Sequence, residues 1–228
     1  MPVQTKKYSG LTGNQLKIIA MIAMTCDHVG LQLFPDVLLL RIIGRLALPI
    51  YAYMIAEGCR YTRNRKKYLL RLFLLAAGCQ VVYFFAMGSL YQCILVTFSL
   101  SVCLICAIDN TQERTDLGSR LLALGVFCAV LFLCVGLPLL LPGFEIDYGF
   151  FGVLLPVLIY FGKPSHHFLL AGLLLLCFAY GGIQWWCLAA IPLLGQYNDQ
   201  RGKYPIGKLF YIYYPLHLVV IYGISLIL

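Results

Sequence analysis

Almost the whole sequence consists of long apolar runs separated by short polar connectors. A bilayer core needs about 20 apolar residues per helix, and only helices satisfy the backbone of such runs within lipid. The sequence therefore predicts an all-α polytopic membrane bundle, with the sixth to eighth runs short and one of them a candidate re-entrant segment. The nine predicted spans lie at about residues 16–34, 42–59, 69–88, 91–108, 121–141, 149–162, 167–181, 183–196 and 208–227.

Composition supports the membrane class. Of the 228 residues, 61% are hydrophobic and 11% are charged, whereas soluble domains carry about 25% charged residues. The polar start MPVQTKKYSGLTGNQ predicts no signal peptide, so the first span is expected to be retained. Residues 1–228 are predicted to form a single integral-membrane domain, and the ten cysteines, which nearly all lie in apolar runs, are expected to pack rather than form disulfides.

The basic residues predict the orientation. Cytoplasmic connectors carry an excess of lysine and arginine, and alternate connectors hold 15 of the 17 basic residues here. The opposite side of the membrane has Arg41 and Arg45 with Asp36, Glu145 and Asp147. The N-terminus is therefore predicted to be cytoplasmic and, with nine spans, the C-terminus outside. This distribution explains the net charge of +8 without nucleic-acid binding, which we do not expect. The 15 residues are Lys6, Lys7, Lys17, Arg60, Arg63, Arg65, Lys66, Lys67, Arg71, Arg114, Arg120, Lys163, Arg201, Lys203 and Lys208.

Ionisable groups are rare within membrane spans and mark functional sites by default, and five of those in the predicted spans are candidates. They are Asp27, His28, Arg45, Glu57 and His217. Asp27 and His28 are adjacent on one helix and point about 100° apart, so each is expected to find a partner on another span. Arg45 is the candidate partner of Asp27, either in a functional site or in an ion pair that locks two helices. Glu57 is expected to pair with the basic connector that follows it.

The two intramembrane histidines are candidates for proton chemistry. An imidazole titrates near neutrality, which suits His28 for a general base or a proton shuttle, although a core histidine with satisfied hydrogen bonds is the alternative. His217 follows Tyr213 by four residues, so both lie on one face of the ninth span. That aromatic cluster also has the composition of a membrane-interface belt.

The connector CRYTRNRKKYLLR is strongly basic. Arginine forks bind phosphates in a bidentate manner, so Arg60, Arg63, Arg65 and Arg71 are candidates for binding a nucleotide-bearing cofactor from the cytoplasm. Topology alone, or attraction to anionic lipid headgroups, would also account for the charge.

Several segments resemble the TraX family, whose founding member acetylates the N-terminus of a conjugative pilin. They are LTGNQLKIIAMIAMTCDHVGLQLF, LRIIGRLALPIYAYMIAEGCRYTRNRKKYLLRLFLLA, DYGFFGVLLPVLIYF and FYIYYPLHL. The family is similar in turn to the wider group of integral-membrane acyltransferases. Lys17 and His28 match the spacing of a basic residue and a histidine in that group, with Lys in place of the usual Arg, and Arg60-Tyr-Thr-Arg63 matches its Arg-x-x-Arg element.

The resemblance implies a bacterial inner-membrane acetyltransferase that uses acetyl-CoA and needs no metal. Its acceptor would be a pilin-like N-terminus or a surface glycan. His28 would be the general base, with Asp27 and Arg45 holding the local geometry and field. His217 and Tyr213 would line the cavity or assist proton transfer. Lys17, Arg60, Arg63, Arg65 and Arg71 would bind coenzyme A. The alternatives are a proton-coupled transporter and a non-catalytic membrane assembly factor for surface appendages.

Overall fold

The computed structural model describes residues 10–163, 165–203 and 206–227, and no strand is formed within these ranges. The predicted cytoplasmic lysines Lys6 and Lys7 lie outside the described residues. The described ranges contain eleven α-helices, most of which are joined by short connectors. Their bounds are α1 Gly13–Gln32, α2 Leu38–Gly44, α3 Ala47–Tyr61, α4 Arg65–Met87, α5 Ile94–Glu113, α6 Leu117–Leu131, α7 Leu137–Leu140, α8 Gly149–Gly162, α9 His167–Tyr180, α10 Ile191–Gly195 and α11 Gly207–Ser225.

Two further helical segments are irregular. A π-helical turn, Phe132–Gly136, joins α6 to α7, and a 3₁₀-helix, Gly182–Ala190, leads into α10. The chain divides into two compact units. The first comprises the residues up to Tyr51 and those from Ile183 onward, and the second comprises Ala52–Gly182. The expectation of a single membrane domain stays a prediction.

In the first unit, the N-terminus of α1 is fixed by a capping box and a loop. The Thr12 hydroxyl accepts from the Gln15 amide at 3.3 Å, and the Gln15 side chain accepts from the Thr12 amide at 2.8 Å. The amide of Gly13 donates to the carbonyl of Gln200 at 2.7 Å. The Asn14 amide donates to the Arg201 carbonyl at 3.0 Å. The first turn of a helix leaves four backbone N–H groups without intrahelical partners, and here the cap and the loop satisfy all four. These contacts hold α1 at the position from which it projects Asp27 and His28.

In the second unit, α5 packs against α4, α6 and α8. Two side-chain hydroxyls on α5 form hydrogen bonds to backbone carbonyls of other segments. Thr97 donates to the Asp147 carbonyl at 2.7 Å, and Ser101 donates to the Val153 carbonyl at 2.8 Å. Val102 and Ile105 on the same helix are fully buried. Hydrogen bonds of this kind satisfy polar groups that the surrounding apolar core cannot.

In the part of the chain that the structure describes, four helical segments are long and apolar enough to cross a membrane by length and composition. They are Leu38–Tyr61, Arg65–Phe85, Ile94–Glu113 and Leu117–Leu140, and shorter apolar helices occupy Gly149–Gly162, His167–Tyr180, Gly182–Gly195 and Ile212–Ser225. Large apolar side chains also face outward, including Phe85, Leu139 and Phe178, which are 81%, 82% and 76% exposed. Soluble proteins rarely expose contiguous apolar surface of this kind. The helices have the character of a membrane protein.

The all-helical prediction is confirmed, and each of the nine predicted segments is helical over most of its length. Nine membrane crossings are a stronger statement than the four long helices support, so the number of spans and the cytoplasmic N-terminus stay predictions.

Candidate functional site

The most charged interior site of the first unit is centred on Asp27 of α1. Arg41 of α2 contacts the carboxylate with its Nη1 2.9 Å from Oδ2, and Arg45 donates from Nη2 to Oδ1. The Asp27 side chain is 19% exposed and that of Arg45 is 9% exposed. Two cations therefore share one carboxylate, which leaves a formal charge of +1 on the cluster. The predicted pairing of Asp27 with Arg45 is confirmed, and Arg41 joins it.

The break between α2 and α3 places both arginines. Helix α2 ends at Gly44, and α3 begins at Ala47, so Arg45 sits where the helical hydrogen bonding is interrupted. Its Nε donates to the carbonyl of Arg41 at 3.3 Å, which folds the side chain back toward α2. Its Nη1 donates to Oε1 of Gln184 at 3.4 Å. The guanidinium is thus held from three sides within the first unit.

Gly44 allows α1 to come this close. A Cβ at Gly44 would lie 2.6 Å from Cγ of Asp27, a separation that real side chains do not tolerate without movement. Gly30 makes a similar approach on α1, where an added Cβ would lie 2.8 Å from Cβ of Leu40. The two glycines let the α1 and α2 backbones approach closely, as small residues do between membrane helices.

The second interior feature of this unit is a pair of histidines. Nε2 of His217 on α11 lies 3.3 Å from Nδ1 of His28 on α1, and the ring centroids are 5.0 Å apart at an interplanar angle of 68°. His28 is partly buried, and His217 is only 6% exposed. Sequence reasoning expected a partner for His28 on another span and did not identify it as His217.

The hydrogen bonds determine which ring nitrogens carry protons. Nδ1 of His217 lies 3.0 Å from the carbonyl of Tyr213, and Nδ1 of His28 lies 2.9 Å from the carbonyl of Met24. A carbonyl only accepts, so each Nδ1 carries its proton. Nε2 of neutral His217 then accepts from Nδ1–H of His28. Neutral His28 keeps a lone pair on Nε2, for which no hydrogen-bond partner is found among the described residues.

Aromatic and hydroxyl groups hold the His217 ring in place. Tyr213 stacks on His217 with centroids 5.2 Å apart and an interplanar angle of 5°. The Tyr213 hydroxyl makes a close hydrogen bond with Oγ1 of Thr25, which also donates to the Met21 carbonyl at 2.9 Å. Tyr213 thus links α11 to α1 one turn away from the histidine contact, and it supports the ring rather than only lining a cavity.

In the second unit, Arg60 and Glu57 form the predicted ion pair. Nη1 of Arg60 lies 2.9 Å from Oε1 of Glu57, and Nζ of Lys163 reaches the same oxygen at 3.0 Å. The Arg60 guanidinium also donates to the carbonyl of Ile159 at 3.3 Å. Most of its donors are therefore used within the protein, where they join the end of α3 to the end of α8.

Arg65 is engaged in the same way. It forms an ion pair with Asp109 of α5, and its Nη2 donates to the Tyr160 hydroxyl at 2.7 Å. Tyr160 in turn donates to Oδ2 of Asp109 at 2.6 Å. Arg65 also donates from Nε to the Cys59 carbonyl at 3.2 Å. This closed set joins α4, α5 and α8 at one end of the unit.

The remaining predicted cofactor residues differ in their surroundings. Arg63 and Arg71 are exposed, which leaves their guanidinium groups accessible to an anion. Lys17 is partly buried on α1. Its separation of 11 residues from His28 corresponds to about 16 Å along the helix. Lys17 therefore does not belong to the histidine site.

The structure brings five of the predicted site residues together in the first unit and places four others in the second. Asp27, His28, Arg45, Tyr213 and His217 lie around the α1–α2 and α1–α11 contacts, whereas Arg60, Arg63, Arg65 and Arg71 lie in Ala52–Gly182. The roles assigned to all of them stay predictions.

Sequence reasoning missed two members of the ion cluster. The sequence assigns Arg41 only to the side opposite the cytoplasm, and it assigns no role to Gln184. A signal for Arg41 was present, because Arg41 and Arg45 are four residues apart and so share a helix face. Gln184 lies far along the chain from Asp27, and no local pattern connects them. In the described part of the chain, no group of three or more His, Cys, Asp or Glu side chains could hold a metal ion.

Comparison with known proteins gives a family match that covers most of the chain. A family model described as "TraX protein" matches residues 12–225. The chain is 41% identical over 73 residues to "Probable fimbrial assembly protein FimC, serogroup H1" of Dichelobacter nodosus, covering 30% of each protein. It is 53% identical over 38 residues to "Uncharacterized protein RP591" of Rickettsia prowazekii (strain Madrid E), covering 17% of this chain and 15% of that protein. The chain thus matches less than a third of the length of either relative. No solved structure matches it significantly.

Proposed function

The chain belongs to the TraX family, and on that premise we propose that it is an integral-membrane acetyltransferase. The family is linked to pilus assembly and conjugation. The reaction would move an acetyl group from acetyl-CoA to an acceptor amine or hydroxyl. The observation that carries the proposal is the geometry of His28. Its Nδ1 lies 3.3 Å from Nε2 of His217, and its Nε2 has no hydrogen-bond partner among the residues the structure describes.

In the proposed reaction, the lone pair of the acceptor amine or hydroxyl attacks the thioester carbonyl. Nε2 of His28 removes a proton from the acceptor as this attack occurs. The new C–N or C–O bond forms, and the C–S bond then breaks. The leaving thiolate receives the proton from His28. While His28 is protonated, its Nδ1–H is donated toward Met24 and His217, and hydrogen bonds from a charged donor are stronger than neutral ones. His217 is therefore a positioning residue that stabilises the imidazolium.

The cluster of Asp27, Arg41 and Arg45 would stabilise the negative charge that develops on the substrate carbonyl oxygen. The carbonyl oxygen becomes negative in the tetrahedral intermediate, and fixed positive groups stabilise such an oxyanion without reorganising. Asp27 orients Arg41 and Arg45 while leaving the cluster at +1. In this proposal Asp27 holds the arginines, and the arginines supply the positive potential.

The coenzyme A phosphates would bind to Arg63 and Arg71, because both guanidinium groups are exposed. Arg60 and Arg65 direct most of their donors to Glu57, Asp109 and backbone carbonyls, so they would shape the site rather than hold phosphate.

Thermal unfolding of the purified protein with and without acetyl-CoA tests donor binding. A ligand at 100 times its dissociation constant stabilises the folded state by about 2.7 kcal/mol, which corresponds to roughly 5–10 °C for a chain of this size. We expect such a shift in the unaltered protein and in R114A, whose altered residue is an exposed arginine in another connector. R63A combined with R71A should abolish it. No shift in the unaltered protein would contradict acetyl-CoA binding.

A non-catalytic assembly factor is the second candidate, favoured by the similarity to the fimbrial assembly protein of Dichelobacter nodosus. It predicts no stabilisation by acetyl-CoA. It also predicts that H28N supports pilus assembly as well as the unaltered chain, which the enzyme proposal does not allow. A proton-coupled transporter would likewise show no acetyl-CoA shift, and it would acidify proteoliposomes during uptake.

A further inference from the structure

A long groove runs between α4 and α5 in the second unit. It encloses about 840 Å³, a size typical of small-molecule sites. The α4 side is formed by one helix face, because its lining residues recur at three- and four-residue spacing. They include Leu69, Leu70, Phe73, Ala77, Val81 and Phe84. The opposite wall includes Val96, Leu100 and Cys103. The groove is therefore almost wholly apolar.

The two ends of the groove differ in charge. Lys66, in the first turn of α4, lines one end, is exposed and makes no ion pair with any described residue. Toward the other end, the Gln80 side chain is occupied, since Nε2 donates to the Tyr91 carbonyl at 2.7 Å and Oε1 accepts from the Cys93 amide at 3.3 Å. The groove thus has one cationic end and one neutral end.

The dimensions suit a lipid. From Lys66 to Phe84 the helix rises about 27 Å, close to the thickness of a bilayer core, which is about 30 Å. Lys66 lies in the strongly basic connector that the sequence places at the cytoplasmic surface. The groove walls face outward, with Leu70 55% exposed and Phe73 60% exposed. An acyl chain of the cytoplasmic leaflet would extend along at least half the length of the groove and cover these side chains.

We propose that the α4–α5 groove binds one acyl chain of an anionic phospholipid, with the lipid phosphate against the Lys66 ammonium. The apolar walls match the chain, and the single cation at one end matches the headgroup. A lipid chain at this site would cover the apolar groove along the α4–α5 contact. The lipid proposal is independent of the acetyl-transfer proposal, because no residue assigned to acetyl transfer lines the groove.

Native mass spectrometry of the full chain, released from micelles containing equal amounts of palmitoyl-oleoyl phosphatidylglycerol and phosphatidylethanolamine, tests the groove. We expect one retained phosphatidylglycerol per chain. A77F places a ring in the groove and should lower this occupancy at least fivefold, whereas A129F, a matched change on the exposed face of α6, should leave it within twofold. Equal occupancy in A77F and the unaltered protein would overturn the groove assignment.

The headgroup assignment is tested in the same mixture with charge variants. K66Q should remove the preference for phosphatidylglycerol over phosphatidylethanolamine, since an uncharged amide no longer attracts the anionic lipid. K67Q neutralises the next residue, which is also exposed but does not line the groove, and it should retain the preference. Loss of the preference in both variants, or in neither, would overturn the assignment to Lys66.

Discussion

At the scale of single residues, Asp27 is the group whose removal should disturb the first unit most. It pairs with two arginines in a part of the chain with few other polar groups, and breaking a buried ion pair leaves an uncompensated charge. Since Asp27 is 19% exposed, the effect should fall near the lower end of the known range. We predict that D27N lowers the free energy of unfolding by about 3 kcal/mol, measured as a fall in the thermal midpoint in detergent.

The matched control for this prediction is D36N. Asp36 is exposed in the connector between α1 and α2 and belongs to no ion pair among the described residues. A D27N midpoint equal to that of D36N would contradict the structural role of the cluster.

Individual residues also show what the sequence could and could not provide. Asp27 with Arg45, and Glu57 with Arg60, were predictable because an ionised group in lipid requires a partner and few were available. The contact between His28 and His217 was not, because it depends on how α1 and α11 pack, and the two residues are 189 positions apart. The engagement of Arg65 by Asp109 and Tyr160 was missed for the same reason.

At the scale of helices, the approach of α1 to α2 depends on Gly44. We predict that G44A lowers the thermal midpoint, because its Cβ would lie 2.6 Å from Cγ of Asp27 and must push the helices apart. The size of the effect should be that of overpacking, about 1–3 kcal/mol. G78A on α4 is the control, since nothing lies within 4 Å of a Cβ at Gly78. A G44A midpoint as high as that of G78A would show that α1 and α2 do not pack as described.

The contact between α1 and α11 is tested by a double-mutant cycle. T25V and Y213F each remove one side of the same hydroxyl pair. We predict that each lowers stability by about 1 kcal/mol and that the double variant is little worse than either. Strict additivity of the two effects in thermal unfolding would indicate that the two hydroxyls are not paired.

The positions of the helices were largely predictable, whereas their interruptions were not. The mean hydropathy over a window of span length locates each helical segment, because burial in lipid depends on the total apolar content of the segment. The break at Arg45 and the π-helical turn Phe132–Gly136 fall inside such runs. They are set by local packing, as at Gly136, where a Cβ would lie 2.6 Å from the Phe132 ring. Hydropathy carries no information on such contacts.

At the scale of the whole molecule, the distribution of basic residues predicts a topology that can be measured. We expect alkaline phosphatase to be active when fused after Asp36 or Glu145 and inactive when fused after Arg63 or Arg114, because the enzyme folds only outside the cytoplasm. With nine spans, a fusion at the C-terminus should also be active. An inactive C-terminal fusion, with the other four as expected, would give an even number of spans.

The central claim is that His28 is the base for acetyl transfer. The acetyl-transfer rate of a His28 variant tests that claim most directly. The measurement is the release of free coenzyme A thiol from acetyl-CoA in the presence of a peptide with a free N-terminal amine, with the N-acetylated peptide as the blank. We predict that H28N lowers the rate at least about 100-fold, as loss of a general base does. Its thermal midpoint and its stabilisation by acetyl-CoA should be unchanged. H166N, which alters an exposed histidine, should turn over normally. Turnover by H28N at the rate of H166N would contradict the account.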